Sequence, residues 1–256
     1  MVPISRHRRL YLLNRLFLYT IISIVYGSEI HDKQINKSFI MFAGAKFNLV
    51  QNGDSPNRYI WLHGDEQTAR MALEYHIGLY NGLAFFIESE TREIPFKSTI
   101  VDPNRIFSRD GAYYALRKFK PGWQPGTLKM ALDEIDRERE SFLDILMPNK
   151  NGLLISLHNN FRGYNVHKEK GNSQRISIKK NENPRDFIIC TNSSDFEILV
   201  SSPYNVVLQN ELPERDDGSL SWEALRRNVR YLNIETRLGY LSKQKAMLKY
   251  IEDNLN

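Results

Sequence analysis

Two short apolar runs in this chain each deliver a histidine and then turn polar at once, and no other feature constrains the fold as tightly. Residues 58–62 (Arg-Tyr-Ile-Trp-Leu) lead into His63, and residues 152–157 lead into His158. Apolar runs of this length, bounded by polar residues, read as buried strands. Around them lie stretches with helical spacing: Ala69, Ala72, Leu73 and Ile77 within 66–80, and Leu128, Leu132, Ile135, Phe142 and Ile145 within 127–147, stopped by Pro148. Further strands are expected at 83–87, 187–190, 204–208 and 230–234, and further helices at 194–200 and 242–255. This alternation predicts an α/β three-layer sandwich, with a mixed, mostly parallel, twisted sheet covered by helices on both faces. The polar stretch 162–184, rich in Lys and Asn, reads as an exposed hairpin or long loop.

A chain of 256 residues with 41% hydrophobic content can bury one substantial core, so one catalytic domain is expected over 28–256. Ahead of it, Arg6, Arg8 and Arg9 precede an apolar run from Leu16 to Tyr26 that ends near Gly27 and Ser28. That is the layout of a signal peptide over 1–27, and the run is too short for the ~20 residues of a membrane span. A secreted or periplasmic protein is expected, with no stable membrane span after leader removal; if the leader is not cleaved, a cytoplasmic protein is expected, with a basic amphipathic start lying on a membrane or on the domain. The net charge of +5 is modest and spread along the chain, and Arg117-Lys118-Phe119-Lys120 is too short a basic stretch for a nucleic-acid partner. Cys190 is the only cysteine, which excludes an intramolecular disulfide and a cysteine-built zinc site.

His63 and Glu66 are three residues apart where a strand gives way to a helix, so an imidazole and a carboxylate can converge on one point. Both are ordinary zinc ligands. In α/β sheets ligands bind at the carboxyl ends of strands, where His158 also falls, so His63, Glu66 and His158 form a candidate set with a fourth position open. His76 and His167 read as solvated or as supporting groups. A third element, Asp102-Pro103-Asn104-Arg105-Ile106-Phe107, offers an amide and a planar guanidinium suited to a substrate carboxylate, or an arginine bracing a turn through Asp102 or Asp110. A fourth, residues 231–237, carries Glu235 at a strand end, where a lone carboxylate is most often a salt-bridge partner.

These four elements, in this order over residues 58–252, resemble the zinc carboxypeptidase superfamily, and within it the succinylglutamate desuccinylase/aspartoacylase branch. His63-Gly64-Asp65-Glu66 is similar to that branch's His-Gly-Asn-Glu, and Asp102–Phe107 to its Asp-Leu-Asn-Arg-x-Phe. The resemblance implies zinc held by His63, Glu66 and His158, a substrate carboxylate gripped by Asn104 and Arg105, and Glu235 as the acid/base. The branch also places an arginine seven residues before the motif Asn, to polarise the scissile carbonyl. Lys97 stands there, and Arg92 and Arg162 are alternatives.

The activity implied is hydrolysis of an amide bond beside a substrate carboxylate. A metallocarboxypeptidase-like peptidase leads, with a small peptide as substrate. A deacylase of N-acyl amino acids is the alternative, and a zinc-free binding protein on the same fold is a third. Only residues 236–256 follow Glu235, without the further domain of aspartoacylase members, so an open pocket is expected.

Overall fold

The structure, a computed structural model, describes residues 35–149, 151–160 and 163–255. The expected leader and Arg162 lie outside the described residues. The elements begin with strands β1 (Ile35–Phe42), β2 (Ala45–Asn52) and β3 (Arg58–Trp61), helix α1 (Gln67–Leu79), and strands β4 (Gly82–Ile87), β5 (Ile94–Phe96) and β6 (Thr99–Val101). Helices α2 (Arg109–Phe119) and α3 (Pro125–Leu146) lead to β7 (Leu153–Asn160), then β8 (Arg175–Ser177) and β9 (Phe187–Cys190). The chain closes with α4 (Ser193–Leu199), β10 (Asn205–Leu208), α5 (Leu220–Arg226), β11 (Arg230–Arg237) and α6 (Leu241–Leu255).

Nine strands form one mixed sheet in the order β1-β2-β4-β3-β7-β11-β9-β10-β8, while β5 and β6 form a small separate hairpin. Its centre, β4-β3-β7-β11, is parallel throughout, and antiparallel pairings flank it on both sides. The α/β class and mixed sheet are as the alternating pattern predicts. Helices α1 and α4 each pack on α6, whereas α2 packs with α3, and α5 lies on β11. The central strands are apolar because both faces are covered: every residue of β4, β7, β9 and β10 is buried.

Because β3, β7 and β11 run in the same direction, their carboxyl ends share one edge of the sheet, and that edge receives His63, His158 and Glu235. The element bounds follow the sequence reading closely at β3, α1, β4, α3 and α6. Strands β1, β2 and β5 and helices α2 and α5 were not expected. The stretch read as an exposed loop is more ordered than expected. It contains a 3₁₀ turn (Val166–Gly171) with Val166 and Glu169 buried, and β8, which pairs with β10 at the sheet edge. Among the described residues no helix is long and apolar enough to cross a membrane.

Candidate metal centre

After β3 the chain makes a tight turn in which the Glu66 N–H donates to the His63 carbonyl, and Glu66 then caps the start of α1. Trp61 Nε1 donates to the Glu66 carbonyl at 3.0 Å, tying the turn back to the strand. Gly64 is required here by space. A Cβ at this position would lie 2.3 Å from the Ser89 carbonyl oxygen, because the segment after β4 passes directly over the turn. The glycine of the His63–Glu66 motif thus lets residues 89–92 approach, and with them Arg92.

The turn presents His63 Nδ1 3.0 Å from Glu66 Oε1 and 3.2 Å from His158 Nδ1, while Glu66 Oε2 lies 3.0 Å from the same His158 nitrogen. All three side chains are buried. Ligands about 2.1 Å from a tetrahedral metal are roughly 3.4 Å apart, so three donors at 3.0–3.2 Å are spaced to surround one ion. Among the described residues this is the one group of three or more His, Cys, Asp or Glu side chains that could hold a metal in this way. The residues fit a metal ion in a second respect. His63 Nε2 faces Asp102 Oδ1 at 2.8 Å, so its N–H belongs there and Nδ1 is left to face the cluster. The other ring nitrogen of His158 is buried with no hydrogen-bond partner among the described residues.

The charges are strongly coupled. Burial works against an imidazolium at His63, but the carboxylates of Glu66 and Asp102 outweigh it and raise the group to about 9. Burial would raise Glu66, yet His63 and His158 hold it well below the usual carboxylate range. Asp102, also pushed up by burial, is brought below that range by His63, Arg105 and Arg92. In the metal-free centre the His63 Nδ1 proton sits where a metal would replace it.

Glu235 occupies the position on β11 directly opposite His158 on β7. Burial moves it the other way: its carboxyl is raised, with His158 opposing the shift and Glu66 adding to it. Asn233 Nδ2 donates to Glu235 Oε1 at 3.3 Å. Asn159, one residue after His158, faces the other side of the sheet. Its Oδ1 accepts from the Ala69 N–H at 2.7 Å, and its Nδ2 donates to Thr236 Oγ1 and Gln244 Oε1. One buried amide therefore locks α1, β7, β11 and α6 together directly behind the three donors.

His63, Glu66, His158 and Glu235 line a cavity of about 350 Å³ together with Arg92, Asn104 and Arg105. Asn104 Oδ1 accepts from the Leu220 N–H at the start of α5, and its amide nitrogen has no partner among the described residues. Arg105 is half exposed; it donates to the Asn104 carbonyl and lies 3.7 Å from Asp217. The two halves of this wall meet at a pair of glycines, where a Cβ on Gly111 would lie 2.1 Å from the Gly218 Cα. Gly218 has φ +75, which glycine adopts without strain.

Lys97 is not brought to this cavity. It sits in the two-residue turn of the β5–β6 hairpin with φ 53, which directs its ammonium to Glu134 of α3 at 2.5 Å. The cation at the centre is Arg92, whose guanidinium donates to Glu66 Oε1 at 2.8 Å and lies 3.5 Å from Asp102. His76 is neither solvated nor near the centre; it is buried between α1 and α6, 2.9 Å from Glu252. Asp102, which the sequence reads as a turn residue at the head of the Asn104–Arg105 motif, is the side chain that meets His63 from behind. It does cap that turn, accepting from the Asn104 N–H with the oxygen that also faces His63. No protein-family model, curated protein or solved structure matches this chain.

Proposed function

We propose that this protein is a zinc-dependent hydrolase that cleaves an amide bond beside a substrate carboxylate, as a metallocarboxypeptidase-like peptidase does. The observation that carries the reading is the set of three buried donors, His63, Glu66 and His158, on the floor of a cavity that also holds a carboxyl with a raised pKa at Glu235. Two imidazoles and one carboxylate are a donor set that suits zinc and leaves a position open.

When bound, the zinc ion supplies Lewis acidity that polarises the scissile carbonyl and makes water acidic enough to react near neutral pH. His63, Glu66 and His158 hold it, with Asp102 keeping the His63 ring in the right tautomer. Glu235 takes a proton from water on a carboxylate oxygen and returns it to the leaving nitrogen, a task that its raised pKa favours. Arg92 brings positive charge to the oxygen of the scissile carbonyl. Arg105 and the amide nitrogen of Asn104 orient the substrate carboxylate.

A deacylase of N-acyl amino acids uses the same groups, and the cavity of about 350 Å³ suits so small a substrate. Incubating zinc-loaded protein with a mixed library of short peptides and N-acyl amino acids tests both, with Glu235→Gln as control. Released C-terminal residues identify the peptidase, and released acyl groups identify the deacylase. No product from either class, or equal activity in wild type and Glu235→Gln, contradicts the proposal.

A further inference from the structure

The cavity does not end at Arg105. A second cavity of about 560 Å³ shares Arg92, Arg105 and Asp217 with the first and continues along α2, past Tyr114 and Lys118, to Arg215. The two ends of this joint cleft differ in charge. At the end lined by Glu169, its buried carboxylate accepts from the Tyr164 hydroxyl and from Gln209 Nε2, and among the described residues no cation lies within 4 Å.

In the second cavity every acid is matched. Asp102 faces His63 and Arg92, Asp216 lies 2.9 Å from Arg226, and Asp217 accepts from the Ser219 N–H and lies near Arg105. Lys118 and Arg215 are the unmatched charges there: neither has an acidic partner among the described residues. Each is held instead against a ring, with the Lys118 ammonium 4.7 Å from the Phe119 centroid and the Arg215 guanidinium 4.3 Å from that of Tyr114. An aromatic face orients a cation without neutralising it, so both remain available to an anion.

We propose that the second cavity binds the continuation of the leaving group, and that the substrate is an extended acidic chain whose next anionic group docks on Lys118 and Arg215. This deepens the hydrolase reading and rests on it, since Arg105 at the junction is that reading's carboxylate contact; the carboxylate it holds is then a side-chain carboxylate of the residue after the scissile bond, and the fragment released is an acidic peptide longer than one residue. Direction follows from charge. Glu169 repels an anionic chain at one end, while two unmatched cations attract it at the other. A substrate ending at a single carboxylate would leave the larger cavity unused.

Calorimetric titration of the metal-free protein with tri-glutamate, and with the neutral extension Glu-Ala-Ala amide, tests this without depending on turnover. Tri-glutamate is expected to bind about fivefold more tightly, with the advantage shrinking at high salt. In the Lys118→Ala, Arg215→Ala double variant the ratio is expected to fall to about one. Both positions are exposed, so the variant should fold. A ratio of about one in wild type, an unchanged ratio in the double variant, or no binding of tri-glutamate overturns the proposal. The two readings fail separately: hydrolysis with a ratio of about one sinks the subsite alone, whereas the expected ratio without hydrolysis of any acidic peptide supports the subsite and contradicts the hydrolase.

Discussion

His63 Nε2 lies 2.8 Å from Asp102 Oδ1, and this one contact determines which nitrogen of the ring faces Glu66 and His158. The carboxylate claims the N–H, so Nδ1 is the donor left for a metal. Asp102→Asn keeps an acceptor for the Asn104 N–H but loses the charge that orients the ring. Zinc affinity is expected to fall by ~10–100-fold, measured by chelator competition, and the metal-free protein to melt lower at neutral pH, because His63 loses one of the two carboxylates that stabilise its imidazolium. Undiminished affinity would show that Asp102 serves the turn alone.

The raised His63 gives the metal-free protein and its zinc affinity opposite pH dependences. In the folded state the group titrates at about 9 against an ordinary 6.5, so its stabilisation is fully present below 6.5 and is lost as pH rises through about 9. The melting temperature of the metal-free protein should therefore decline over that window. Zinc must displace the same proton, so its affinity should increase over the same interval, by up to about tenfold per unit. Calorimetry at several pH values measures both, and a zinc affinity independent of pH would contradict the assignment of His63.

Arg92 and Lys97 make a paired test of which cation serves the reaction. Arg92 contacts Glu66 and lines the cavity, whereas Lys97 is paired with Glu134 away from it. Arg92→Ala is expected to lower kcat/KM by ~100-fold, and Lys97→Ala to leave it within about twofold. The reverse ranking would return the role to the lysine.

Asn159 supports the centre from behind without touching a metal. Removing its amide leaves Gln244 Oε1 and Thr236 Oγ1 buried without their donor, and leaves the Ala69 N–H with only its longer bond to the Glu66 carbonyl at 3.1 Å. Asn159→Ala should destabilise the protein by ~2–4 kcal/mol in denaturant titration. A loss below about 0.5 kcal/mol would mean that water replaces the amide.

Much of this was legible in the sequence because the centre is built on strand ends. Residues 58–62 and 152–157 have no polar alternative to burial, so they had to be central strands. A parallel pair of such strands brings His63 and His158 to one edge, and the i, i+3 spacing brings Glu66 to His63. What could not be read is what depends on packing across the chain. Spacing to the motif Asn favours Lys97 and leaves Arg92 as an alternative, and only the hairpin turn at Lys97 and the close passage over Gly64 reverse that order. Asp102 hides behind its local role as a cap. Helix α2 went unread because four of its eleven residues are charged and only Gly111, Ala112, Ala115 and Leu116 are buried, a weak apolar stripe. Residues 163–172 bring Tyr164, Glu169 and Asn172 to the cavity, but Tyr164 and Val166 are their only apolar side chains, too few to mark a packed segment in the sequence.

Metal analysis of the purified full chain after dialysis against micromolar zinc tests the central claim most directly. One zinc ion per chain is expected in wild type, retained in Glu235→Gln and absent from His158→Ala. No bound zinc in wild type, or full occupancy in His158→Ala, would contradict a centre built from His63, Glu66 and His158.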